Sequence, residues 1–128
     1  MAKAPDFLDY ALTRFGETMG LKELALSDRG TVGFKFPTGL AVRFEYAYET
    51  LTVMMTVPCE ASAPKMEKLL ARAHYDARRE YRMRTGYLAK SGAAFFAVRL
   101  KETDVTVPVL QGVWNVLWRE AKDFGGAE

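Results

Sequence analysis

Residues 64–100 read PKMEKLLARAHYDARREYRMRTGYLAKSGAAFFAVRL, and this stretch decides the fold. Residues 64–81 predict a basic amphipathic helix. Met66, Leu69, Leu70, Ala73 and Ala77 recur at helical spacing, Ser62 is placed to cap, and Pro64 falls in the first turn. Arg84-Thr85-Gly86-Tyr87-Leu88 then turns extended. Residues 85–90 and 94–100 read as two strands joined by a turn at Ser91-Gly92. A closing helix follows, with Thr106 as its cap and Pro108 in its first turn. Leu110, Val113, Trp114, Leu117, Ala121 and Phe124 are spaced to bury one side of it.

Upstream, residues 6–19 predict a first helix. Asp6 is the expected N-cap and Asp9 suits the helix N-terminus. Leu8, Leu12, Phe15 and Met19 form its apolar stripe, with Phe7 and Ala11 beside it, and Gly20 is placed to end it in a left-handed turn. Residues 24–26 read as a short extended piece. Three strands follow at residues 31–36, 40–48 and 51–59, punctuated by Asp28-Arg29-Gly30 and Pro37-Thr38-Gly39. Val32, Phe34 and Phe36 share a face, as do Leu40, Val42, Phe44, Tyr46 and Tyr48, and Leu51, Val53, Met55 and Val57. Short links between alternating strands predict an antiparallel meander with one buried face. The expected class is α+β, a five-stranded antiparallel sheet with three helices in the order α-βββ-α-ββ-α. Residues 58–64 are too short a link to divide the chain, so residues 1–128 are expected to form one domain.

Composition is that of a globular domain, with 49% hydrophobic and 27% charged residues. Cys59 is the single cysteine, so no internal disulfide forms, which fits a reducing compartment. The first residues lack the apolar core of a signal peptide, and no apolar run is long enough to span a membrane. A cytoplasmic protein is expected.

No catalytic kit is visible. His74 is the sole histidine, placed on the second helix between Ala73 and Tyr75, and reads as a surface or interface residue rather than a base. One cysteine and one histidine do not make a metal site, and no glycine pattern forms a phosphate cradle. Neither catalytic residue, metal nor cofactor is expected. Two other features point to a surface at work. The net charge of +2 is uneven: residues 61–84 carry seven Lys/Arg against three Asp/Glu. Arg72, Arg78, Arg79, Arg82 and Arg84, with Tyr75 and Tyr81 interleaved, fit a salt-bridged solvent face, a protein interface, or a small nucleic-acid-binding module using helix 65–84. Met54 and Met55, like Phe95 and Phe96, are adjacent apolar pairs that point to opposite faces of their strands. A sheet with apolar groups on both faces needs cover on both, from an exposed groove's partner or from a dimer mate.

The element order, together with Phe7-Leu8, Leu12 and Phe15 before Gly20-Leu21, the hairpins around Gly30 and Gly39, Met66-Glu67-Lys68-Leu69-Leu70, and the hairpin from Gly86-Tyr87-Leu88 to Phe96-Ala97-Val98, resembles the Tir/Yop-chaperone family of type III secretion. Val113, Trp114 and Leu117 fit its last helix, and the resemblance covers about residues 6–124. It implies a homodimer with the second helix and fourth strand at the two-fold axis, no catalysis, and a client: the chaperone-binding segment of a secreted effector, held extended. It further implies Phe15, Phe34, Phe36, Phe44 and Met54 as effector-binding candidates, and Leu70, His74, Tyr87 and Leu88 as dimer candidates. One departure stands out. The family is usually acidic, whereas this chain has a sequence pI near 8.7; an acidic client segment is one answer.

Overall fold

Alternation of apolar and polar residues builds the sheet. The computed structural model describes residues 4–21, 24–59, 62–74 and 81–125, with side chains of the second helix described through Leu69 and at Ala71. Its order is α1 (Asp6–Met19), β1 (Thr31–Lys35), β2 (Ala41–Ala47), β3 (Thr50–Pro58), α2 (Ala63–His74), β4 (Met83–Leu88), β5 (Ala93–Lys101), a 3-10 turn (Glu102–Asp104) and α3 (Val107–Gly125). The five strands are antiparallel in the order β1-β2-β3-β5-β4, so β1 and β4 are the edges. Every second residue of the central strands is buried: Val42, Phe44 and Tyr46, then Leu51, Val53, Met55 and Val57, then Ala94, Phe96, Val98 and Leu100. The register puts them on one face, Val42 opposite Met55 and Met55 opposite Phe96.

The helices cover that face. α3 lies across β3 and β5, and α1 packs against α3. Leu8, Leu12 and Phe15 of α1 and Leu110, Val113, Leu117 and Phe124 of α3 are sealed from solvent. Burial on this scale stabilises by about 1.5–3 kcal/mol for each large apolar side chain. α2 sits over β4. Thr85, whose cross-strand partner Phe96 is in the core, donates its hydroxyl to the Leu69 carbonyl at 3.5 Å. Ser62 and Thr106 accept backbone N–H groups of Lys65 and Val109 at 3.4 and 3.3 Å, the caps expected of them.

Several local expectations are corrected. Pro5, not Asp6, precedes α1, and its carbonyl accepts from Leu8 and Asp9. Asp9 does more than suit the helix N-terminus. Its carboxylate accepts the Leu26 N–H at 3.3 Å, while Thr13 donates to the Leu24 carbonyl at 3.3 Å. Residues 24–26 are therefore bound to α1 and join no sheet. Met19 reaches solvent at the end of α1, short of the stripe predicted for it. Tyr48 leaves the β2 face because Tyr48 and Glu49 form a two-residue turn with φ of 52° and 61°, the geometry that suits a twisted hairpin; its side chain is 92% exposed. The basic stretch is not one helix from 65 to 84. Tyr81 is already a bend, Arg82 is outside any element and Arg84 is in β4. Arg78 and Arg79 lie outside the described residues.

Candidate functional site

A chain of aromatic rings runs from the core to the β1 edge. Phe44 meets Phe15 at 6.3 Å between ring centres, and Phe15 meets Trp114 at 5.8 Å. Trp114 stacks on Phe34 at 6.3 Å and on Trp118 at 5.9 Å, and Phe36 closes the group against Trp118 at 5.4 Å. The spacing explains it. Trp114 and Trp118 are one helical turn apart on α3, and Phe34 and Phe36 are two apart across the end of β1. Phe34, Phe36 and Trp118 are half-buried, so the last rings of the chain face solvent.

This divides the five effector-binding candidates. Phe15 and Phe44 are 0% and 1% exposed and belong to the core, a correction to their expected place in a groove. Their reason is position: β2 is an inner strand whose Phe44 packs against Phe15 of α1, whereas β1 is an edge. Phe34 and Phe36 stand together at that edge. Met54 is half-buried on the opposite face of the sheet, since its neighbours Val53 and Met55 point to the core. The five do not form one patch. Of the dimer candidates, Tyr87 and Leu88 lie on edge strand β4. Tyr87 points to the helix-covered face and donates its hydroxyl to the Cys59 carbonyl at 3.3 Å, while Leu88 is on the other face and 37% exposed. Leu70 and His74 fall in α2, and their side chains lie outside those described.

The β1 edge also offers backbone. The Tyr46 N–H donates to the Gly30 carbonyl at 2.7 Å and the Phe36 N–H to the Leu40 carbonyl at 2.8 Å. Hydrogen-bonded pairs alternate along an antiparallel ladder, so Val32 and Phe34 turn their polar groups to β2. Thr31, Gly33 and Lys35 turn theirs outward. The Thr31 carbonyl is used by the Ser27 N–H at 2.8 Å. The groups of Gly33 and Lys35 form the open part of the edge, beside Phe34 and Phe36.

Sequence reasoning passed over Trp118 and Tyr10, and set Phe7 beside the apolar stripe of α1 where the structure exposes it. Trp118 carried a signal in its one-turn spacing from Trp114. Phe7 and Tyr10 are 51% and 65% exposed on α1, three residues apart and away from the buried stripe. Arg14 lies over the Tyr10 ring at 5.9 Å. At the far end of the sheet, Tyr46 donates its hydroxyl to the Glu102 carboxylate. This hydrogen bond, then burial and the charges of Glu102 and Glu49, pushes the Tyr46 pKa up to about 12.

Comparison with known proteins gives a consistent likeness of fold. A chain of the ExsC–ExsE complex superposes with a TM-score of 0.78 at 15% identity, over 93% of this chain and 91% of that one. A chain of the HopA1–SchA chaperone–effector complex gives 0.75 at 21% identity, over 93% of each. The Yersinia pestis type III secretion chaperone SycH, solved with a stable fragment of YscM2, gives 0.71 at 15% identity, over 91% and 98%. No protein-family profile matches the chain. No curated protein matches it in sequence.

Proposed function

We propose that this protein, which has the fold of the type III secretion chaperones, is itself a non-enzymatic cytoplasmic chaperone. It binds the N-terminal chaperone-binding segment of a secreted effector and keeps that segment partly unfolded and ready for export. It works as a homodimer, with α2 and β4 at the two-fold axis. The observation that carries this reading is the fold, shared over nine-tenths of the chain with a chain of a chaperone–effector complex and with a type III secretion chaperone. The edge of β1 supports it. An extended client pairing with Gly33 and Lys35 gains backbone hydrogen bonds, and Phe34, Phe36 and Trp118 offer apolar contact for alternate side chains. A disordered client also covers a wide surface while remaining unfolded. Among the described residues no helix is long and apolar enough to cross a membrane.

The test is co-expression with N-terminal segments of the source cell's secreted effectors, followed by size exclusion with light scattering. A stable complex built on a protomer dimer is expected. A chain that stays a 14.4 kDa monomer and retains no segment in solution would sink the reading.

A further inference from the structure

The face of the sheet turned away from the helices divides into two halves of different chemistry. The register aligns Arg84, Ala97, Met54, Arg43 and Gly33 in one row across all five strands. To one side lies an apolar half. Met54 and Phe95 are half-buried there, and the Phe95 ring sits directly over Gly86. A shallow depression crosses Gly33, Ala41, Met54 and Thr56 on this side, with the exposed Lys35 and Arg43 at its rim and Leu88 at its far end. To the other side, Arg82, Arg84, Arg99 and Lys101 surround a second depression with Thr50. All four cations are exposed, and among the described residues none makes a salt bridge. No described carboxylate lines that depression. The only carboxylate on the five strands of this face is Glu45, already 3.6 Å from Arg43.

We infer that this face recognises an extended client segment that carries apolar residues beside a cluster of carboxylates. The inference rests on the chaperone reading and names the chemistry of its client. Charge complementarity selects the occupant. Gathered cations with no carboxylate beside them among the described residues repel one another and are relieved by an acidic partner. A second copy laid on this face, as distinct from one joined at the β4 edge, would bring the same cations against themselves. Nucleic acid needs a continuous basic track with several stacking rings, whereas here four cations gather at one end, Lys35 and the Glu45-paired Arg43 stand apart from them on β1 and β2, and Phe95 is the single aromatic on this face's strands. The spacing sets the register of the client. Phe95 and Arg99 are four residues apart on β5, about 13 Å at strand rise, so apolar and acidic side chains four positions apart on an extended segment reach both halves. Two cations of the basic stretch at residues 61–84, Arg82 and Arg84, take part in this arrangement.

The probe is a fluorescein-labelled peptide, Val-Ser-Leu-Ser-Phe-Ser-Asp-Glu-Asp, with a control ending in Asn-Gln-Asn. Anisotropy with the full chain is expected to show the acidic peptide binding about tenfold tighter at low salt, a preference that fades as salt rises. The double variant Arg84→Gln with Arg99→Gln is expected to lose the preference while melting as the parent does. Equal binding of the two peptides, or a preference that survives in the double variant, overturns the inference. A single-stranded oligonucleotide that displaces the peptide also overturns it, in favour of a nucleic-acid surface. An effector segment that binds parent and double variant alike removes this inference and leaves the chaperone reading standing. A chain that holds no effector segment yet discriminates the two peptides does the reverse.

Discussion

Lys35→Pro tests whether the client adds a strand to β1. Proline lacks an N–H, and in a sheet it is tolerated where that group faces away from the ladder. Lys35 is such a position, because the Phe36 N–H bonds the Leu40 carbonyl and the ladder alternates. The substitution therefore removes no internal hydrogen bond, and a change in folding free energy within about 1 kcal/mol is expected. Against a client strand the same change removes one donor and sets a ring in the path of the incoming backbone. A net hydrogen bond contributes about 0.5–1.5 kcal/mol, and the client carbonyl left without a partner adds a desolvation cost of about 1–3 kcal/mol where it is buried. At the rim of the sheet that cost is partial, so the loss is set at about 1.5–3 kcal/mol, a roughly 10- to 150-fold rise in Kd. Isothermal titration with an effector segment reads the affinity, and urea unfolding reads the stability. Lys35→Ala is the control, since it removes the cation and keeps the N–H; it is expected to weaken binding by less than about threefold, the scale of an exposed charge. If Lys35→Pro binds as the parent does, or if Lys35→Ala weakens binding equally, strand addition at β1 is wrong.

Other outcomes follow from the same structure. Gly16→Ala gains about 1 kcal/mol of helix propensity, but its Cβ would come within 2.8 Å of the Leu24 Cβ and 2.9 Å of the Leu21 carbonyl oxygen. Overpacking costs about 1–3 kcal/mol, so a net loss of stability and a lower thermal midpoint are expected; an unchanged or raised midpoint would contradict the packing of α1 on Leu21 and Leu24. Tyr46→Phe tests the bond to Glu102. The pKa of Tyr46 is raised from 10.0 to about 12, so its neutral form is favoured by folding. That contribution is complete below pH 10 and is lost as pH rises through 12. The stability gap between parent and Tyr46→Phe should therefore narrow across this window in urea titrations, and a gap constant with pH would remove the argument. Leu88→Asp places a charge on the exposed end of edge strand β4. Light scattering should show the mass falling towards 14.4 kDa while circular dichroism is preserved; a dimer that persists would move the two-fold axis away from Leu88.

What the sequence made legible was whatever depends on period. The alternation in residues 40–48 and 51–59 located β2 and β3 and their buried faces, and the element order carried the fold. What it hid depends on neighbours. Phe34 and Phe44 are the same residue type in the same pattern, yet one is at an edge and one is in the core, because strand order decides which strand the helices cover. Tyr48 and Glu49 gave no glycine or asparagine to announce a turn with positive φ, so Tyr48 read as one more strand residue. The helical spacing ended at Tyr81, but the run of basic residues continued through Arg82 and Arg84, and charge alone did not show that these two leave the helix surface for the sheet. Arg84 and Arg99 are fifteen positions apart and meet in one depression only through the pairing of β4 with β5.

The most direct measurement of the central claim is amide hydrogen exchange of the chain and an effector segment, each alone and mixed. The account predicts that the free segment exchanges throughout. In the complex, one stretch of it should gain protection without becoming a globular unit, together with the Gly33 and Lys35 amides on the outer edge of β1. A complex in which those two amides exchange as freely as in the unbound chain, or in which the segment folds as a compact domain, would contradict it.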